Sequence, residues 1–512
     1  MPVLTPSLKE FLNYAEPGVR IPVMLEIPME GESPAAIIEN LKLAGEPLAL
    51  LESGKGTENL ARYTLLGFRP WLSFRSRGCR SEVTTDSGVE LIAGDPFKAL
   101  QSVLGRYPVC KYSGLPKFYG GAMGYFSYDI GRCFEELPVL AEDDLELPES
   151  CFMFVDRVIC LDHFEKNIKI IINAVCAAGQ DSETIYREAA AEAESFARAI
   201  KAGIADGTLD IHARPFQRTL HPECNVTKER FEDMVQKAKE YIRAGDIFQV
   251  NLSLRLGHEI NTQPFELYKV LREVNPSPYM SYIDFGDLHI VGSSPELLVR
   301  VTGDLAETRP IAGTRRRGAD REEDLALARE LITNEKERAE HIMLVDLERN
   351  DLGRVCRYGT VEVNELMVIE EYSHVMHIVS NVRGRLAPEH DRFALFRACF
   401  PGGTITGAPK IRSMEIIEEL EPTRRGPYTG SIGFLGYGDE MEMNIVIRTL
   451  VIKDGKAYVQ AGAGIVADSV PEREYFESLK KAEALLRAIE IAETLTAEKT
   501  AASGEKEAAA SA

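Results

Sequence analysis

No C-x-x-C pair occurs among the nine cysteines, and their odd, scattered positions give neither a disulfide framework nor a paired metal motif. Reduced thiols in a cytoplasm are what this usage implies. No uninterrupted apolar run approaches the roughly eighteen residues of a membrane helix, and the start MPVLTPSLKEF has no basic patch followed by an apolar stretch. Secretion and membrane spanning are not expected. Positive charge is scarce: 59 Lys and Arg against 80 Asp and Glu leave a formal net charge of −21. That balance argues against a nucleic-acid backbone or an anionic bilayer as main partner, because both reward clustered cations. An anionic small molecule would need a locally basic or metal-lined pocket. What is present, 45% hydrophobic and 27% charged residues over 512 positions, suits two or three globular domains or one large interleaved body.

From about Pro22 to Asp162 the chain reads as short apolar runs broken by Gly and Pro, the pattern of antiparallel strands with a few helices between them. A helix rich in Ala and Glu follows over Asp181 to Ala202, then polar, turn-forming text to Val226. Thr227 is placed to cap a helix whose apolar positions Phe231, Met234, Val235, Ala238, Tyr241 and Ile242 keep the 3.6-residue period until Gly245. Beyond it, strands such as LHIVGSS, MNIVIRT and KAYVQAGAG alternate with helices without a βαβ repeat, which is an α+β arrangement with large antiparallel sheets. These readings give a first domain over residues 1–205, a linker over 206–226 and a second domain over 227–495. A tail over 496–512, without core-forming residues, is expected to be disordered.

Two motifs invite the wrong chemistry. Gly462, Gly464 and Ala467 spell G-x-G-x-x-A after a strand, but Pro471 and the short remaining chain leave no room for a dinucleotide unit. PGGTITGAPK resembles a phosphate loop, yet Pro409 stands where a Gly should precede the Lys, so its amides suit a carboxylate or hydroxyl better. Arg315, Arg316 and Arg317, in so acidic a chain, read as a solvated or salt-bridged loop. Two acidic pairs are more informative. Glu337 with Glu340, and Glu474 with Glu477, each fall on one face of a helix. Facing one another they would make an all-oxygen site for magnesium. Composition alone also produces such pairs, and Asn334 followed by Glu337 reads equally as a capping box.

Taken in order, GDIFQVNLS, NPSPYM, SSPELL, RPIAGTRRRG, EKERAEHIMLVDLERNDLGRV, PGGTITGAPK, GPYTGSIG, NIVIRT, QAGAGIV and PEREYFESLKKAEA resemble the chorismate-utilising enzymes, and within them the large subunits of anthranilate synthase. The likeness spans about residues 20 to 490 and implies a layered α/β/β/α sandwich with large, mainly antiparallel sheets. It implies that Glu337, Glu340, Glu474 and Glu477 hold Mg2+, which seats the ring carboxylate of chorismate. Glu296 becomes the general acid for the departing ring hydroxyl, a task needing a carboxyl protonated near neutrality. His377 would assist proton removal as pyruvate leaves. Thr404, Tyr428, Arg448 and the backbone N–H groups of the segment Gly462, Ala463, Gly464 would anchor the enolpyruvyl carboxylate and ether oxygen, Arg448 through its bidentate fork. Gly313 and Thr314 would line the ring, and Lys481 would add charge there or simply be solvated.

Two positions separate the branches of the family. Relatives that add water carry a lysine base where this chain has Gln249, and an amide cannot take the proton. Many folate-branch members carry a nucleophilic lysine where this chain has Ala312. Ammonia attack giving anthranilate is the chemistry left. No cysteine lies in the G-x-C-x-G-x-Q setting of a glutaminase, so the resemblance implies a separate glutamine amidotransferase subunit in a two-plus-two heterotetramer. It also implies feedback inhibition by L-tryptophan at Glu52, Ser53, Pro278, Tyr279 and Met280, with Arg62 where some relatives have lysine. An aminodeoxychorismate synthase subunit, or a silent tryptophan-binding homologue, are the alternatives.

Overall fold

The computed structural model describes residues 3–53, 62–177, 179–203, 217–372 and 375–510, with side chains through 502. Two antiparallel sheets, of thirteen and twelve strands, pack face to face. The first is ordered Val3–Thr5, Arg20–Pro28, Asn167–Val175, Arg157–Asp162, Tyr63–Phe68, Leu48–Glu52, Tyr279–Asp284, Leu288–Ser294, Thr449–Lys453, Lys456–Ile465, Gln249–Glu259, Glu223–Cys224. The second runs Ile311–Arg316, Val375–Arg385, Leu305–Thr308, Leu297–Thr302, Met441–Ile445, Ser431–Gly436, Gly121–Phe126, Ser150–Val155, Leu72–Arg77, Arg80–Thr85, Gly88–Ala93. Residues of both sheets, among them Ala49, Leu65, Val158 and Ile290 with Met123, Met153 and Phe434, form the core between them. The approach is close: a Cβ on Gly67 would lie 2.6 Å from Met123 Sδ on the opposite sheet.

Helices cover the outer faces, giving the α/β/β/α sandwich. Ser182–Ala202, Lys228–Ala244, Pro264–Val274 and Pro471–Ala510 pack on the first sheet, burying Phe196, Phe231, Met234, Leu271, Leu485 and Ile489. Pro96–Gly105, Glu335–Gly353 and Arg392–Cys399 cover the second through Leu100, Val345, Leu352 and Phe396. Local signals act as their chemistry requires. The Thr227 side chain accepts from Arg230 N–H, and Gly245 ends that helix with φ of 84°.

The sequence boundary at 206–226 does not divide the sheets. Leu48–Glu52 pairs with Tyr279–Asp284, Met280 opposite Glu52, and Gly121–Phe126 pairs with Ser431–Gly436. The units 1–205 and 227–495 are therefore stretches of one interleaved body. Of the linker, 206–216 lies outside the described residues; beyond it, Gln217 and Thr219 donate backbone N–H groups to Glu490 on the last helix. The tail departs from expectation: the last helix continues to Ala510, because Ala, Glu and Lys extend a helix already docked on the first sheet.

Candidate active site

Glu296 follows the strand Leu288–Ser294 and is 5% exposed. Its carbonyl accepts from Ile445 N–H at 3.0 Å, which fixes the backbone between the sheets. Burial pushes its carboxyl up to about 7, against the opposing pull of the Thr404 hydroxyl, the Ile311 amide and the Arg448 guanidinium. The Thr404 hydroxyl favours its charged form, and Thr404 Oγ1 is buried with no hydrogen bond of standard geometry among the described residues. Near neutrality this acid is balanced between its two forms.

Across the site, the strand pair Ile311–Arg316 and Val375–Arg385 sets Thr314 opposite His377. His377 Nδ1 lies 3.2 Å from Gly313 O and 2.9 Å from Thr314 Oγ1. A carbonyl only accepts, so Nδ1 carries the proton and the buried Nε2, which has no partner among the described residues, carries the lone pair. Burial, then the Arg448 charge, holds the imidazole down at about 4, so it is neutral in the physiological range. Ala312 sits beside this pair, opposite Ile378. Among the described residues the Arg448 guanidinium has no carboxylate within salt-bridge distance, and desolvation lowers its pKa. A cation left in that state is suited to an incoming carboxylate. Tyr428 is buried against Arg425.

Gln249 is the hinge of the arrangement. Its Nε2 donates to Glu340 Oε1 at 3.1 Å, while its buried Oε1 has no partner among the described residues. Room for it comes from glycine: a Cβ on Gly464 would lie 2.6 Å from Gln249 Nε2, and one on Gly407 would strike Gln249 O. The G-x-G-x-x-A stretch is thus a strand, Gly464 paired with Asn251 and Gly462 with Ser253, not a helix-starting phosphate cradle. The Ala463 side chain lies in the core under the helices, so any contact it makes with substrate is through its backbone.

The four glutamates stand on two helices, Glu335–Gly353 and Pro471–Ala510, whose facing is shown by Lys336 and Lys481 acting on both Glu340 and Glu474. They are not gathered into a closed cage: among the described residues no three His, Cys, Asp or Glu side chains are grouped to hold an ion. Glu337 pairs with Arg315 at 3.0 Å and Glu477 with Lys481 at 2.9 Å, while Lys481 donates to Gly462 O at 2.9 Å. Asn334 does cap the helix through Glu337 N–H at 3.1 Å, but the Glu337 carboxylate turns to Arg315 instead of closing a capping box. Burial, then the neighbouring glutamate's charge, raises the pKa values of Glu340 and Glu474 despite the lysines nearby. Such carboxylates fit a hard cation. Arg316 and Arg317 are spent on Glu323, Asp324 and Glu371.

Sequence reasoning passed over two residues here. Asn251 is two positions beyond Gln249 on the same strand face; its Oδ1 is buried without a partner, and the period-2 rule was the available signal. Glu348, buried within electrostatic reach of Glu296, is pushed above the usual carboxylate range by burial, then by Asp351, which itself pairs with Lys410 at 2.7 Å. Nothing in its helical text marked it.

A separate cavity of about 230 Å³ is lined by Glu52, Ser53, Pro278, Tyr279 and Met280 together, with Arg62 at its wall. Tyr279 lies opposite Ser294, two residues before Glu296, and packs on Leu297 just after it.

Residues 47–487 match the model of the chorismate binding enzymes. The chain belongs to that family. It is a chorismate-utilising enzyme. Anthranilate synthase component 1 of Acetivibrio thermocellus is 46% identical over 489 residues, 95% of this chain and 98% of that one. Aminodeoxychorismate synthase component 1 of Bacillus subtilis is 46% identical over 481 residues, 93% and 99% of the two chains. The crystal structure of anthranilate synthase component I from Streptococcus pneumoniae TIGR4 superposes with a TM-score of 0.72 at 36% identity, covering 83% of this chain and 92% of that one. Overall identity thus does not choose between the two named activities of these relatives. Among the described residues, no helix is long and apolar enough to cross a membrane.

Proposed function

We propose that this chain converts chorismate and ammonia to anthranilate and pyruvate, and that L-tryptophan inhibits it from the cavity at Glu52 and Tyr279. The observation that carries the reaction is a half-protonated Glu296 beside the Thr404 hydroxyl and the Arg448 charge, which also acts on His377, together with two buried polar atoms that have no partner among the described residues, Gln249 Oε1 and His377 Nε2. Each has a task. Glu296 gives its proton to the departing ring hydroxyl, and the neutral form that burial sustains is the one that can. Gln249 Oε1 accepts from ammonia while its Nε2 stays on Glu340, so the amide orients the nucleophile without trapping its proton as a lysine base would. His377 Nε2 then removes the ring proton as pyruvate leaves, and the Gly313 carbonyl holds the other nitrogen in the tautomer this requires. Arg448 binds the enolpyruvyl carboxylate. Glu337, Glu340, Glu474 and Glu477 would hold magnesium, which when bound would supply positive charge for the ring carboxylate. With Ala312 beside His377 there is no amine to attack the ring covalently, which supports anthranilate over the folate-branch product.

Ammonia is supplied by a glutamine amidotransferase partner, the component II that the relatives' component 1 names imply. Purified chain with chorismate, magnesium and ammonium at alkaline pH is expected to develop anthranilate fluorescence, and glutamine alone is not. Accumulation of 4-amino-4-deoxychorismate instead would overturn the assignment.

A further inference from the structure

The cavity at Tyr279 contains a charge the reaction does not use. Leu51, Leu65, Pro278, Met280 and Phe434 give it apolar walls. Most of its charged groups are already matched. Glu52 accepts from Tyr268 at 2.7 Å and from Arg272 at 2.8 Å. Arg62 is fixed on Asp162 at 2.8 Å, and Arg300 on Glu307 at 3.0 Å. Lys117 is different. It precedes the strand Gly121–Phe126, lines the cavity, is mostly removed from solvent, and has no ion pair or hydrogen bond for its ammonium among the described residues. Desolvation, then Arg300, disfavours its charge, with Glu442 and Glu307 only partly offsetting them. Glu442, of opposite sign and also lining the cavity, has among the described residues only Arg300 within ion-pair distance, at 3.6 Å. A loosely matched anion and an unmatched cation flanking an apolar chamber suit a small zwitterion with a bulky apolar side chain.

We infer that Lys117 receives the carboxylate of the amino-acid effector, with Glu442 taking its ammonium, so that these two residues make the cavity selective for free α-amino acids. This rests on the regulatory reading of the cavity. An amide or ester of the same amino acid keeps the ring and the ammonium but offers Lys117 no anion.

Calorimetric titration of the full chain with L-tryptophan and with L-tryptophanamide tests it. The unaltered chain is expected to bind the free acid at least about tenfold more tightly than the amide, the discrimination expected of one charge-assisted contact. Lys117→Met should bring that ratio close to one by weakening only the acid, and Lys117→Arg should retain it. A ratio near one in the unaltered chain, or an undiminished ratio in Lys117→Met, overturns the role of Lys117 while leaving the regulatory cavity intact. Binding of neither compound to the unaltered chain overturns the regulatory reading together with this inference.

Discussion

A carboxyl at about 7 and an imidazole at about 4 stand in one site, and under the proposed reaction they would divide the proton work. Glu296 owes its value to burial, so its useful, protonated form is present below that pKa and lost above it. With free ammonia held constant, kcat/KM should fall as pH rises through about 7, and His377 should add no limb above about pH 5. Glu296→Gln should lower kcat by about 10²–10⁴-fold and abolish that limb; a limb unchanged in the variant would assign it to another group. The sequence made the identity of Glu296 legible, through SSPELL, but not its environment: the 5% exposure arises from Ile445 and Thr404, remote in the chain. Asn251 was legible and missed, while Glu348 was hidden because a buried acid on a helix looks in sequence like a solvated one.

At the scale of elements, glycine placement shapes the site as much as the reactive groups do. The strand Lys456–Ile465 lies against Gln249 because Gly464 has no side chain there. Gly464→Ala should displace the Gln249 amide and reduce ammonia-dependent turnover by about tenfold or more, with chorismate binding less affected; steady-state kinetics against ammonium and against chorismate separate the two. The two acidic helix faces make a second prediction. Glu340→Gln or Glu477→Gln should weaken magnesium binding measured by calorimetry and remove magnesium-dependent turnover. Strand partners also tie the cavity to the acid, since Tyr279 faces Ser294 and packs on Leu297 while Asn444 of the cavity wall pairs with Leu297. Ser53→Phe should raise the tryptophan inhibition constant at least about tenfold by filling the chamber, and unchanged inhibition would remove Ser53 from it.

Over the whole molecule, periodicity showed that strands and helices exist and that the sheets are antiparallel, but not which strand lies beside which. Pairing Leu48 with Asp284 joins residues more than two hundred positions apart, and no local pattern specifies such a partner. The same pairing explains why a plausible boundary in the text, at 206–226, is not a boundary in space. Residues 1–205 and 217–512 produced separately should each lack the cooperative thermal transition of the intact chain by circular dichroism, and mixing them should restore one. Because each half supplies strands to both layers, neither can be lent to another protein as a ready-made module. Recombination that swaps one half between relatives must match every seam at once, so the two halves are constrained to change together.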